Sequence, residues 1–140
     1  MPNETILVTG SAVETEAAGE RLGRSLQAGD VVALTGELGT GKTCFIQGVT
    51  RGLGIRGRAT SPTFVLINEC QGRWPVRHVD AYRTQSLTEL MELGLPDLFD
   101  EGGVTLIEWA DKLTPLLPPR TVHVHINGIG DEPREITIRR

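Results

Sequence analysis

The run Gly36-Glu37-Leu38-Gly39-Thr40-Gly41-Lys42-Thr43 sets glycines, a lysine and a threonine in the order G-x-x-x-x-G-K-[ST]. Glycines let successive backbone N–H groups turn into one concavity. A helix that begins where the loop ends makes that concavity positive, so an anion fills it. In such a nest the Lys42 ammonium pairs with the β and γ oxygens of a nucleoside triphosphate, and the Thr43 hydroxyl ligates Mg²⁺. Composition does not account for the lysine: Lys42 and Lys112 are the only two among 14 basic residues.

Triphosphate hydrolysis also requires a carboxylate at the end of another core strand, to hold the metal's waters or to orient attack. Glu108 ends the run Val104-Thr105-Leu106-Ile107 and is assigned to Mg²⁺, directly or through water, with general-base duty as the second choice. Asp80 closes Val76-Arg77-His78-Val79 and is either a group that positions water or metal, or a plain turn cap. Arg83 is either a neutraliser of γ-phosphate charge or a salt-bridge partner. Thr60-Ser61-Pro62-Thr63-Phe64 lies where many triphosphatases keep a γ-phosphate-sensing loop, and it equally suits a turn into a strand. Trp109 can stack on a base or a partner, or pack at the sheet edge. His123 and His125 share one strand face with nothing nearby to complete a metal set, so a solvated face is expected there.

The elements that must carry these residues alternate between strand and helix. Thr5 to Thr9 is a β-branched run, and Ser11 with Glu14 forms the S-x-x-E pattern that opens a helix from Ala12 to Leu26. Ala18, Leu22 and Leu26 form the stripe that faces a sheet. Val31 to Thr35 is continuously apolar, as in a strand buried on both faces of a parallel sheet. A helix from Lys42 to Leu53, closed by Gly54, completes the strand-loop-helix context that the phosphate loop requires. Next come a hairpin of Thr63 to Cys70 with Pro75 to Asp80, and short helices after Ser86 and at Leu95 to Phe99. A buried strand runs from Val104 to Trp109, and a last hairpin pairs Thr121 to Ile126 with Glu135 to Arg139. The expected architecture is a single α/β domain over residues 1–140. It is a P-loop NTPase fold with a mixed, mostly parallel central sheet flanked by helices and a C-terminal β-hairpin.

Composition bounds the partners. A hydrophobic fraction of 39% over 140 residues permits a buried core without disulfides or structural metal. A net charge of -4 and a pI near 5.4 argue against a broad electrostatic grip on a polyanion, so nucleic acid is not the expected direct ligand. Two cysteines, Cys44 and Cys70, make neither a disulfide framework nor a zinc site, and Cys44 suits a small core-facing position. Met1-Pro2-Asn3-Glu4 lacks the basic and apolar regions of a signal peptide. No stretch approaches the ~20 apolar residues of a membrane span, and a cytoplasmic location is expected.

Four pieces in this order and spacing resemble the bacterial TsaE (YjeE) ATPases of tRNA threonylcarbamoyladenosine biosynthesis, over nearly the whole chain. They are Gly36 to Thr43, Ser61-Pro62-Thr63-Phe64, Asp80-Ala81-Tyr82-Arg83 and Ile107-Glu108-Trp109. The resemblance implies a P-loop ATPase that joins TsaB and the threonylcarbamoyl-transferring TsaD, with tRNA reached only through that complex. It implies ATP and Mg as cofactors, metal on Thr43 and Glu108, and catalytic weight on Lys42, Asp80 and Glu108. Nucleotide contacts are implied at Glu37, Leu38, Gly39, Thr40, Gly41, Lys42, Thr43, Cys44 and Trp109. The loop at Ser11 and the hairpin near Arg134 are implied to approach the adenosine. The family's usual Asp-Leu-Tyr-Arg is Asp80-Ala81-Tyr82-Arg83 here, losing apolar volume and keeping the polar groups.

A small-molecule kinase would need an acceptor pocket and usually an Arg-bearing lid, and no inserted lid is visible beyond Gly54. A nucleotide-dependent binding module needs the same phosphate site and stays open as an alternative. A GTPase is disfavoured because no Asn-Lys-x-Asp is present: Ala110-Asp111-Lys112-Leu113 has the wrong order.

Overall fold

The computed structural model describes residues 4–36, 42–55, 67–80, 102–108, 110, 115, 117–128 and 133–140, with residues 67, 68 and 80 described by backbone alone. In chain order the elements are β1 (Glu4–Thr9), α1 (Ala12–Ser25), β2 (Val31–Gly36), α2 (Lys42–Gly52), β3 (Ile67–Gln71), β4 (Pro75–Asp80), β5 (Val104–Glu108), β6 (Val122–Asn127) and β7 (Arg134–Arg139). The expected strand from Thr63 is described only from Ile67. The expected loop at residues 57–62 and the short helices near Leu90 and Leu95 lie outside the described residues.

The strands form a seven-stranded sheet in the order β1-β7-β6-β2-β5-β4-β3. Its centre is parallel: β6, β2, β5 and β4 run together, with Val32 opposite both Val122 and Leu106, and Val79 opposite Ile107. Antiparallel pairs close the flanks, β3 on β4 and β7 between β6 and β1. β2 sits in the middle, and Val31 to Leu34 are all buried, as the apolar run requires.

Side chains alternate across the sheet. Val32, Leu34, Val104, Leu106, Val122, Val124, Ile126 and Ile136 share one core with Ala18, Leu22 and Leu26 at α1 and with Phe45, Ile46 and Val49 of α2. α1 starts at the Ser11 cap and presents the expected stripe. α2 ends as the sequence reading anticipates. Gly54 takes φ +85°, its N–H donates to Arg51 O, and the Ile55 N–H donates to Thr50 O, satisfying the last carbonyls of the helix. No described helix is long and apolar enough to cross a membrane.

α1 and α2 lie side by side with their backbones in contact. A Cβ on Gly19 would run into the Phe45 carbonyl and one on Gly23 into that of Val49. On the facing helix, Gly48 and Gly52 meet the carbonyls of Glu16 and Glu20 in the same way. The Arg51–Glu16 ion pair bridges the same seam. Backbone obstacles cannot swing aside as a side chain can, so a methyl at Gly48 must push the helices apart. That cost exceeds the ~1 kcal/mol of helix propensity gained from alanine. Gly48→Ala is expected to lose about 1–2 kcal/mol and to melt roughly 5 °C lower. An unchanged or raised melting temperature would show that the two helices can separate without penalty.

Candidate functional site

Strand direction gathers the candidate residues. β4, β5, β2 and β6 are mutually parallel, and β1 runs with them because two antiparallel steps through β7 restore its direction. Thr9, Gly36, Asp80, Glu108 and Asn127 therefore finish at one edge of the sheet, and Arg134 begins there. In open α/β sheets the crevice outside the carboxyl ends of the strands is where ligands bind.

Lys42 is the first residue of α2 and is buried, only 6% exposed. An ammonium so enclosed needs acceptors, and its Nζ donates to Gly36 O at 2.6 Å, joining the first residue of α2 to the last of β2. Gly36 holds φ +149°, which glycine accepts without strain. Thr43, the next helical residue, is exposed, and Cys44 is half-buried with a free thiol. The intervening Glu37, Leu38, Gly39, Thr40 and Gly41 lie outside the described residues, as do Ser61 to Phe64, Arg83 and Trp109.

At the turn from β1 to α1, the Ser11 hydroxyl accepts from the Glu14 N–H at 3.1 Å. The Glu14 carboxylate accepts at 3.1 Å from the Gly10 N–H, one residue before the cap, so the Ser11 half of the expected capping pattern forms and the return bond goes to Gly10 instead of the cap's own N–H. Thr9 faces Arg134 across the β1–β7 ladder, which brings the Ser11 turn and the start of β7 to the same corner.

Glu108 ends β5 directly opposite Asp80 at the end of β4, so the register joins the two acidic positions. Alternation puts Glu108 on the face that carries Leu106, the face covered by the two helices. Its carboxylate is buried, at 6% exposure, and it is not alone. His78, 4% exposed and one alternation back from Asp80 on β4, donates from Nε2 to Glu108 Oε2 at 2.7 Å. The other ring nitrogen, Nδ1, is buried and has no hydrogen-bond partner among the described residues.

His78 was absent from the site read off the sequence. Its signal was present there: in Val76-Arg77-His78-Val79-Asp80, a period of two sets His78 and Asp80 on one face. An imidazole on the core-facing side of a strand, next to Val76, needs a polar partner.

His123 and His125 project from the opposite face of the sheet and are exposed, as expected. Even so, Thr35 Oγ1 and His125 Nδ1 are 2.7 Å apart, and His125 Nε2 lies 3.0 Å from Asn127 Oδ1. Thr35, His123 and His125 border a shallow depression of about 430 Å³, separated from Lys42 and Glu108 by the sheet itself.

A family model described as "Threonylcarbamoyl adenosine biosynthesis protein TsaE" matches residues 9–136. The tRNA threonylcarbamoyladenosine biosynthesis protein TsaE of Treponema pallidum (strain Nichols) is 40% identical over 131 residues, covering 94% of this chain and 97% of that protein. The protein of the same name from Bacillus subtilis (strain 168) is 41% identical over 125 residues, covering 89% and 78%. A crystal structure of Bacillus subtilis YdiB aligns with a TM-score of 0.81 at 34% identity, covering 99% of this chain and 86% of that one.

The cap at the β1–α1 turn generates a stability prediction. Ser11→Ala removes the acceptor for the Glu14 N–H and is expected to cost about 1 kcal/mol, whereas Ser11→Asp keeps an acceptor there and stays near the parent. Thermal unfolding of the two variants checks this, and identical melting curves would count against the cap.

Proposed function

The chain belongs to the TsaE family, and we propose that within tRNA threonylcarbamoyladenosine biosynthesis it binds and hydrolyses ATP with Mg²⁺ in company with TsaB and TsaD. The role in formation of the modified nucleoside follows from membership. The observation that carries the nucleotide reading is Lys42: a buried ammonium at the first residue of a helix that follows the central strand, closing on a carbonyl of its own phosphate-binding motif. A cation is not held there for packing, since an apolar residue would fill the space without the desolvation cost.

The donor set fits a hard divalent cation bound to a triphosphate. Glu108 supplies a carboxylate and Thr43 a hydroxyl, both oxygen ligands of the kind Mg²⁺ takes beside phosphate oxygens and water. When bound, Mg²⁺ would neutralise charge developing on the transferred phosphoryl group. The chain's own residues do the rest. Backbone N–H groups between Leu38 and Thr43 cradle the phosphates, Glu37 and Cys44 flank that stretch, and Lys42 pairs with the β and γ oxygens. Glu108 orients the metal or its water, and Asp80, its register partner, positions the attacking water. Trp109, Ser11 and Arg134 serve the nucleoside end.

Lys42→Ala is expected to weaken ATP binding about 10- to 100-fold, the loss of one or two charge-assisted hydrogen bonds. Glu108→Gln is expected to retain nucleotide and to lose Mg²⁺-dependent turnover by on the order of 100-fold. Calorimetric titration with ATP, with and without Mg²⁺, separates the two, and unchanged affinity in the Lys42 variant would remove the phosphate role.

Hydrolysis by the isolated protein is expected to be slow and to rise when TsaB and TsaD are added together. Co-purification followed by phosphate release from the mixture measures this. No association with or without ATP would reject the partner assignment.

A further inference from the structure

We propose that His78 is the positioning residue for Glu108, holding one carboxylate oxygen so that the other is presented to the divalent cation of a bound nucleotide. This inference rests on the proposed role of Glu108 in Mg²⁺ binding and adds a residue which that role did not include.

Three observations carry it. Contact is direct and short, 2.7 Å from His78 Nε2 to Glu108 Oε2, with both side chains withdrawn from solvent. Because an ionised carboxylate can only accept, Nε2 is the nitrogen that donates. The second observation is Nδ1, which is buried with no partner among the described residues. A buried N–H without an acceptor is costlier than a lone pair without a donor, so the ring is assigned its proton on Nε2 and a bare Nδ1. Such an imidazole spends its one donor on Glu108 and leaves its other nitrogen unsatisfied, an arrangement that packing alone would not select. Third, the hydrogen bond engages Oε2, and among the described residues no side chain donates to Oε1. One oxygen is tied down and the other remains for a cation or its water.

The physical effect is on rotation. A glutamate at a strand end has three side-chain torsions, and ordering them each time a metal arrives costs rotamer entropy. A rigid imidazole, itself fixed within a strand one alternation back on the neighbouring ladder, removes much of that freedom beforehand. Partners that orient metal-binding carboxylates typically change metal affinity 10- to 100-fold when removed.

The test uses the full chain and ATP, and reads the ratio of ATP affinities measured by calorimetry with and without Mg²⁺. His78→Leu is expected to lower that ratio about 10-fold or more while leaving the Mg²⁺-free affinity within about twofold. His78→Gln, whose amide N–H can reach the place of Nε2, should recover most of the loss. In a Glu108→Gln background, His78→Leu should change nothing further. An unchanged ratio in folded His78→Leu, or a second loss of equal size on top of Glu108→Gln, would overturn the proposal while leaving the role of Glu108 intact. If Glu108→Gln alone leaves the ratio unchanged, the role of Glu108 fails and this inference goes with it. Should His78→Leu not fold, ¹⁵N shifts of the imidazole in the parent protein give an independent readout. A proton on Nε2, with resonances that move on adding ATP and Mg²⁺, supports the assignment, and a proton on Nδ1 refutes it.

Discussion

Two helices share one face of this sheet because their backbones touch. Gly19 and Gly23 on α1 meet Gly48 and Gly52 on α2, and each alpha carbon lies against a carbonyl of the other helix. That closeness leaves room for Leu22, Leu26, Phe45 and Val49 to reach the central strands beneath. It also fixes where α2 can begin. Its first turn must sit over the end of β2, which is why Lys42 closes on Gly36 rather than extending into water. The helix seam therefore bears on where the first residue of α2 meets the last residue of β2.

Charge and burial are in tension at the carboxyl edge, and the edge is arranged around that tension. Lys42, His78 and Glu108 are each less than a tenth exposed. Isolated, any one of them would be expensive to enclose. The described contacts relieve the cost locally, Lys42 on a carbonyl and Glu108 on His78. In so enclosed a setting each of these polar contacts counts for more than it would in water.

Much of this was legible in the residues themselves, for physical reasons that can be named. The phosphate loop is read from glycine geometry and a helix start, and the strand and helix on either side lie where those rules put them. The Ser11 cap and the Gly54 stop follow from local hydrogen bonding, which short sequence patterns encode. What escaped is long-range. Nothing in the run Glu4 to Thr9 says that its ladder partner is Arg134 to Arg139, because strand pairing across the whole chain depends on which edge is left open. His78 escaped similarly: its face could be deduced from alternation, but its partner is 30 positions away. The tight α1–α2 seam was also missed, although glycines four apart occur in both helices, since small residues in one helix do not identify their counterpart.

The pairing of β1 with β7 has a consequence for how the protein is made. On the ribosome β1 is the first of the described strands to emerge and β7 the last, yet Glu4 must find Arg139 and Thr9 must find Arg134. Until β7 has emerged, β1 lacks the ladder it has in the folded sheet, and its outward Ile6 and Val8, exposed even there, form a sticky β-branched segment. Completion of the described sheet thus waits for β7, the last of its strands in chain order, and requires a contact of long sequence separation. Over that interval β1 depends on its own Glu4 and on solvent, not on a neighbouring strand, to keep its apolar residues from other chains.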